Sequence, residues 1–516
     1  MTRSSIVMCA ALLLPSAGFA GDFNGDGFDD LAIGVPFEDV GSEADAGAVN
    51  VLYGSASFLS VAGDQFLTLA GLGLEVLGTE EFGSALATGD FNGDGFDDLA
   101  IGCPGATVAG LLAAGRVVVI HGGPAGLDGN AVSSFHQNTP GVKDAVEVSP
   151  LDPARSDERF GTTLCVGDFD GNGCDDLVIG VREGFGSGAK YKRNAGAVHV
   201  LRGTPTGLVV KGNQQFHLDA KGIPGVADPF ANFGSALAAG DVDGDGYDDL
   251  AVGAADQVGL FAEGSVTLLR GRKKKGLTPK GAQRVTELDC ATDVYPFTFF
   301  AGELALGDLN GDGRADLAIG ARGANVGITP AAGAIYLLMG TPKGVVPNEC
   351  LRITAGTIAL PIAVDGARDV GAVLTFGDFN GDGNDDLAIG ATLATVNGSL
   401  FAGRVHLVLG AEFAGPTAAA TPTFEQGLLG MPDSAEAGDQ FGSSLAAGDF
   451  DGDGKSDLAI GAPFEGQAVG GVGTIVTLRG HTSGLTTVNA ALWTQDTAGV
   501  LDTAEEGDAF GFALGS

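Results

Sequence analysis

The chain is 516 residues long and carries a formal net charge of −38, with 65 Asp and Glu against 27 Lys and Arg. A field of that sign repels nucleic acid and anionic membrane surfaces, so neither is expected as a partner. With 88 Gly, 44% hydrophobic residues and turn dipeptides between short apolar runs, the composition favours strands over helices.

In chain order, residues 1–20 read as a secretory signal peptide. Arg3 precedes the apolar run Ile6 to Leu14, and Pro15 and Gly18-Phe19-Ala20 supply the cleavage region. The run is too short to span a bilayer, no later segment qualifies, and membrane insertion is not expected. The expected location is secreted, extracellular or at the cell surface, with the periplasm as the bacterial equivalent. Cys9 would leave with the signal. Cys103, Cys165, Cys174, Cys290 and Cys350 remain, an odd number that permits at most two disulfides and requires none.

Residues 21–516 read as one repeat domain. Seven Asp-rich nonapeptides open at Asp22, Asp90, Asp168, Asp241, Asp308, Asp378 and Asp449, separated by 68, 78, 73, 67, 70 and 71 residues. Oxygen-bearing residues fall at positions 1, 3, 5 and 9 around two glycines, and the carbonyl of position 7 adds another oxygen. The metal-ligand sets are therefore Asp22, Asn24, Asp26, Phe28 and Asp30; Asp90, Asn92, Asp94, Phe96 and Asp98; and Asp168, Asp170, Asn172, Cys174 and Asp176. They continue with Asp241, Asp243, Asp245, Tyr247 and Asp249; Asp308, Asn310, Asp312, Arg314 and Asp316; Asp378, Asn380, Asp382, Asn384 and Asp386; and Asp449, Asp451, Asp453, Lys455 and Asp457.

An all-oxygen, flexible shell suits Ca2+, whereas Mg2+ wants a tighter octahedron and Zn2+ wants nitrogen or sulfur. Up to seven Ca2+ are expected. An EF-hand would need Glu at position 12, but Ile33, Ile101, Ile179, Val252, Ile319, Ile389 and Ile460 stand there, so a buried strand follows each loop. Charge counting ranks the loops at Asp241 and Asp449, with four carboxylates each, as the tightest.

Each unit has room for four strands. Phe-Gly opens the first, as at Phe82-Gly83, Phe160-Gly161, Phe233-Gly234 and Phe441-Gly442, and the metal loop ends it. The apolar run after the loop, such as Leu458 to Gly461, is the second. Gly-x-Val-x-x-Leu-x-Gly, at Gly47 to Gly54 and Gly196 to Gly203, is the third. A Gly-Leu turn leads to a variable fourth, such as that around Trp493. Seven such units predict an all-β, seven-bladed β-propeller of four-stranded antiparallel blades. Phe510 to Ser516 is a first strand without a loop, and Gly21-Asp22 is a loop start without a first strand. The C-terminal strand is therefore expected to complete the first blade and close the ring.

Phe-Gly, a calcium loop and then Gly461-Ala462-Pro463 resemble the FG-GAP repeats that build the propeller of integrin α subunits and recur in secreted bacterial proteins. The resemblance implies a calcium-stabilised extracellular propeller used in cell adhesion. The chain departs from the pattern at Phe300-Ala301, Val370-Gly371 and Gly102-Cys103-Pro104.

The resulting expectation is an adhesion or ligand-binding scaffold for an extracellular protein or glycan, acting as a monomeric ring or as a module of a surface assembly. Its candidate surfaces are the insertion Val142 to Glu158 and the basic turn Arg270 to Lys275. The six His, at 121, 136, 199, 217, 406 and 481, are scattered, and no nucleophile or zinc motif is present. The chain is accordingly expected not to be an enzyme. A propeller-type polysaccharide lyase or hydrolase is the alternative.

Overall fold

The computed structural model describes residues 18–19, 21–143, 145–146, 156–184, 192–255, 264–291, 297–354, 368–411, 422–466 and 471–515. The apolar run at 6–14, Cys9, the cleavage residue at 20 and most of the insertion at 142–158 lie outside the described residues.

Second strands such as Asp316–Ala321 and Asp457–Ala462 are buried at every residue. Their unbroken apolar runs are what a strand needs when both of its faces meet neighbouring sheets. Fourth strands such as Thr278–Thr286 are half-exposed or exposed along most of their length, at the rim. Among the described residues the strands form seven sheets, six of four strands and one of five.

Blade 2 runs from Ala85–Gly89 through Asp98–Cys103 and Arg116–Ile120 to Val132–Phe135, hydrogen-bonded in that order. Blades 3 to 7 repeat it, with first strands at Leu164–Gly167, Phe233–Gly240, Phe300–Gly307, Val370–Gly377 and Ser444–Gly448. The first strands line a central channel of about 240 Å³, walled by Leu86, Val166, Leu237, Leu306 and Phe376. The one described helix is the single turn Glu287–Cys290 after blade 4. Its Cys290 is joined by a disulfide to Cys350 of blade 5, with Cα atoms 5.2 Å apart.

Ring closure follows the sequence expectation. Ala513–Gly515 is the first strand of blade 1, pairing antiparallel with Leu31–Val35 through Ile33 and Leu514. Gly21 bridges Asp30 and completes the entry to the first loop. Gly18–Phe19 adds a fifth strand to blade 7, parallel to Ser444–Gly448.

The Phe-Gly pairs form the seam on the side away from the loops. Phe82, Phe160, Phe441 and Phe510 are fully buried, each contributing about 2 kcal/mol by area. Their backbone N–H groups donate to Ala46, Ala114, Ala402 and Val472 of the preceding blade at 2.8–3.1 Å. The following residue has positive φ, 94° at Gly83, and a Cβ there would sit 2.6 Å from the Ala48 carbonyl oxygen. Blade 5 departs by holding Ala301 at φ 61°, a conformation that costs a non-glycine residue about 1–2 kcal/mol.

Candidate metal centres

All seven nonapeptides lie on one face, six linking the first and second strands of a blade and that at Asp22 leading from Gly18–Phe19 on blade 7 into the second strand of blade 1. Position 1 organises the loop. Asp22 Oδ1 accepts the N–H groups of Gly25 and Asp26 at 2.7 and 3.1 Å, and its Oδ2 accepts that of Gly27 at 2.8 Å. Asp90, Asp241 and Asp378 bind the same three donors of their own loops. The position-5 carboxylate then accepts the N–H of position 7, as Asp26 does from Phe28 at 3.1 Å. The loop is thus folded by its own backbone donors, and its carboxylates converge.

Position 9 is the buried base of each site. Asp30, Asp98, Asp249, Asp316 and Asp386 are fully buried. One oxygen of each is tied to the third strand, accepting from Gly54, Gly122, Gly271, Gly340 and Gly410 at 2.8–2.9 Å. Burial pushes Asp30 and Asp457 up to about 8 and Asp316 and Asp386 up to about 7, with carboxylates of the same loop adding to the rise. A divalent cation would relieve that field.

Positions 7 and 8, to which the sequence assigned a carbonyl and nothing, reach the neighbouring blade. Asp97 accepts the N–H of Asp22 at 2.9 Å, Asp175 that of Asp90 at 2.9 Å, Asp248 that of Asp168 at 3.0 Å, and Asp385 that of Asp308 at 2.8 Å. Asp29 closes the circle on Asp449 at 2.8 Å. Ala315 and Ser456 hold position 8 in blades 5 and 7, where the adjoining backbone bonds to Asp241 and Asp378 remain, both at 2.9 Å. The position-7 side chain covers the first loop glycine of the preceding blade, Phe96 over Gly25, Tyr247 over Gly171 and Lys455 over Gly381. Each loop is therefore a joint between two blades.

Position 3 divides the loops into two kinds. Where it is Asp, the third strand ends in Arg just before its glycine. Arg202 pairs with Asp170, Arg270 with Asp243, and Arg479 with Asp451. Arg270 also reaches Asp249 at 3.3 Å, and Arg272 pairs with Asp245. Where position 3 is Asn, the strand residue is Tyr53, His121, Met339 or Leu409. His121 Nδ1 lies 2.9 Å from Asp98, a hydrogen bond that raises the imidazole above its ordinary range. Asn310 and Asn380 turn their amide nitrogens toward Asp316 and Asp386 at 3.2–3.4 Å. The additional carboxylate of the loops at Asp241 and Asp449 is paired with a guanidinium, a charge that counting loop residues alone leaves out.

The residues present fit a hard cation. The oxygens of Asp241, Asp243 and Asp245, and those of Asp449, Asp451 and Asp453, lie within 4.8 Å of one another. The position-3 oxygens Asn92 Oδ1, Asp170 Oδ1, Asp243 Oδ1 and Asp451 Oδ1 are buried without a hydrogen-bond partner. A buried oxygen of that kind is costly unless something outside the protein satisfies it.

The FG-GAP repeat pattern matches residues 14–52, 82–120, 160–201, 233–269, 300–338, 370–408 and 441–478, together more than half of the chain. The chain belongs to the FG-GAP repeat family. Among curated proteins it is 33% identical over 251 residues to integrin alpha-PS2 of Drosophila melanogaster, covering 47% of this chain and 15% of that protein. Integrin alpha pat-2 of Caenorhabditis briggsae is 34% identical over 241 residues, 45% of this chain and 17% of its own. Phosphatidylinositol-glycan-specific phospholipase D of Mus musculus is 31% identical over 195 residues, 38% of this chain and 20% of its own. The FG-GAP chain thus spans about a fifth or less of the length of these relatives. Among solved structures, rhamnogalacturonan lyase YesW overlaps with a TM-score of 0.37 at 13% identity, over 79% of this chain and 72% of that one. An overlap that low bears on no detail of site or activity.

The phospholipase match corrects one sequence expectation. FG-GAP repeats align with an enzyme as well as with integrins, so membership of the family does not place this chain outside the enzymes, as the missing catalytic motif had suggested.

Other singled-out residues fall into place in the fold. His199 and His406 sit opposite Ile179 and Ile389 at matching third-strand positions, both buried. Burial pushes His406 down to about 3. In the basic turn, Arg270 and Arg272 face the loop carboxylates, which leaves Lys273, Lys274 and Lys275 exposed. Cys174 is buried as a free thiol against Gly93, and no described helix is long and apolar enough to cross a membrane.

Proposed function

We propose that this protein is a secreted, calcium-binding propeller that serves as an extracellular adhesion or ligand-binding scaffold, with calcium mainly structural. The observation that carries the reading is the set of seven acidic loops, each folded around its first aspartate and joined to the next blade through position 8 or its backbone. Residues 1–20 act as the cleaved leader and 21–516 as the propeller. The integrin relatives and the Cys290–Cys350 disulfide support an oxidising, extracellular setting. The partner is a protein or glycan met by the rim or a loop face, with Lys273 to Lys275 and the insertion at 142–158 as first candidates.

Extracellular modules bind calcium with dissociation constants of roughly 0.1–1 mM, so at about 1 mM free calcium each site contributes on the order of 0.4–1.4 kcal/mol. Chelation with EGTA is expected to lower the melting temperature and open the loops to protease; an unchanged melt would sink the calcium reading. A glycan array and a surface pull-down, each run with calcium and with chelator, test the scaffold role. A second reading, in which the propeller serves an enzyme, is favoured by the phospholipase D match. Hydrolysis of a phosphatidylinositol-glycan substrate by the purified chain would support it.

A further inference from the structure

The face opposite the loops carries acidic clusters at two blade junctions. Because the strands alternate in direction, the ends of the second and fourth strands and the start of the next blade's first strand all emerge there. At the junction of blades 6 and 7, Gln426, Asp433, Glu436 and Asp439 precede Phe441, and Glu465 follows the second strand in Pro463-Phe464-Glu465. The junction of blades 7 and 1 repeats every element: Gln495, Asp502, Glu505 and Asp508 precede Phe510 at the same spacing, and Glu38 stands in Pro36-Phe37-Glu38.

The hydrogen bonds are shared as well, whereas a set of three carboxylates within 4.8 Å of one another, Asp433, Glu436 and Glu465, is found at the junction of blades 6 and 7. Gln426 Nε2 donates to Glu465 Oε2 at 2.6 Å, and Gln495 Nε2 donates to Glu38 Oε2 at 2.9 Å. The Glu436 and Glu505 N–H groups donate to Asp439 Oδ2 and Asp508 Oδ2, both at 2.6 Å. Gln426, Asp439 and Gln495 are all but completely buried, yet Gln426 Oε1, Asp439 Oδ1 and Gln495 Oε1 have no hydrogen-bond partner. Three buried, unpartnered oxygens beside clustered carboxylates are a donor set that lacks its acceptor of electrons.

At two other junctions the fold supplies a partner at this place, while Gln137 after blade 2 is buried with neither amide atom partnered. At the junction of blades 1 and 2, Glu80 is paired with Arg116 at 2.7 Å. After blade 4, Glu287 accepts from Thr298 and Tyr336 at 2.6 and 3.0 Å. Arg404 of blade 6 is committed to Glu425, and among the described residues no ion pair reaches the eight carboxylates of the two clusters. Burial first and mutual repulsion second raise Glu38, Glu465, Asp439 and Asp508 above the usual carboxylate range.

We propose that each of these two junctions binds one divalent cation of the calcium type, held by carboxylates from two blades and the glutamine carbonyl oxygen. Oxygen is the sole donor element, which selects a hard cation, and the glutamine amide turns its oxygen inward while its nitrogen keeps the glutamate in place. The two clusters flank blade 7 on both sides, so the cations clamp the blade that neighbours the closing strand. This inference does not depend on the loops of the opposite face.

The chain's single tryptophan provides the test. Trp493 ends the strand Gly484–Trp493, two residues before Gln495, so terbium at the junction of blades 7 and 1 is sensitised by indole excitation. In the calcium-depleted full chain, terbium emission excited through Trp493 is expected, with calcium competing it away. Glu38→Gln with Asp508→Asn is expected to weaken that emission's midpoint at least roughly tenfold and to lower the calcium stoichiometry by one. Glu465→Gln with Asp439→Asn is expected to lower the stoichiometry by one while sparing the emission. If either pair fails to fold, Asp502→Asn and Asp433→Asn, at half-exposed positions, are read in the same way. Absent emission in the parent chain, or emission and stoichiometry unmoved by Glu38→Gln with Asp508→Asn, overturns the inference. Asp90→Asn separately reports on the loop of blade 2, so failure of the loop reading leaves a different pattern from failure of this one.

Discussion

The loops of blades 4 and 6 have the same backbone and reach the same electrostatic balance by different means. Blade 4 places Asp243 at position 3 and answers it with Arg270, whose side chain is 5% exposed and touches both Asp243 and Asp249. Blade 6 places Asn380 there, with Leu409 on the strand opposite. Asp at position 3 and Arg before the strand-ending glycine appear together in blades 3, 4 and 7 and are absent together in the other four, although blade 5 pairs Arg314 at position 7 with Asp312. A buried carboxylate carries a desolvation cost that a neighbouring cation offsets, which accounts for the two halves of the pair occurring together. On the calcium reading, blades 1 and 6 would take their whole compensation from a bound cation, whereas blades 3, 4 and 7 carry part of it in an arginine.

The largest effect that can break this comparison is expected from Arg270→Leu. It leaves Asp249 without a cation and Asp243 with only Arg272 at 3.9 Å, and should cost about 3 kcal/mol or more in chelator, with partial recovery in calcium. Adding Asp243→Asn rebuilds the arrangement of blade 6 and should return stability to within about 1 kcal/mol of the parent. Denaturant unfolding of the two variants measures both values. A neutral Arg270→Leu in chelator would show that the guanidinium compensates nothing.

The pH dependence should separate the two states of the ring. Burial raises Asp30 and Asp457 to about 8 and Asp316 and Asp386 to about 7, above the ordinary value of about 4. Acids with raised native pKa stabilise fully below their unfolded pKa and lose that contribution as pH rises through the native one. The metal-free chain is therefore expected to melt highest near pH 4–5 and progressively lower toward pH 8. Saturating calcium should reverse the slope, because the ligands bind it deprotonated. Melting curves in EDTA and in calcium across that interval would show opposite trends.

Ring closure and the turn of each loop were legible because both are written in short local motifs. Alternate residues point to one side of a tight turn, and Phe510 to Ser516 matches the missing half of blade 1. Position 8 was not legible, since Asp97 acts on Asp22 at a separation of 75 residues and reads locally as the first half of an Asp-Asp pair. Arg270 lies 27 residues beyond Asp243. The signal for it was present as the coincidence of Asp at position 3 with Arg before the strand-ending glycine, but the fold was needed to bring the two together.

Position 8 gives the next smaller effect. Asp175→Ala removes a charge-assisted bond to the Asp90 N–H and should cost about 1.5–3 kcal/mol. Ser456→Asp supplies to blade 7 the carboxylate that Asp385 gives blade 6, and a rise in melting temperature of a few degrees or less is expected. If Asp175→Ala is neutral, the blade-to-blade contact rests on the backbone bond between the Asp175 N–H and the Asp90 carbonyl at 2.9 Å.

The smallest effect lies within the arginine class and tests whether burial sets its size. Arg202 pairs with Asp170 as Arg270 does with Asp243, but its side chain is 42% exposed. Water already shares the guanidinium, but Asp170 itself is 1% exposed, so Arg202→Leu is expected to cost about 1–2 kcal/mol, less than Arg270→Leu because the shorter leucine lets solvent reach the acid. Raising the salt concentration should weaken the Arg202 contribution further while leaving that of Arg270 nearly intact, because screening acts on exposed charges. Equal losses for the two variants at every salt concentration would mean that the pairs act through the shape they give the loop, since a purely electrostatic role follows solvent access.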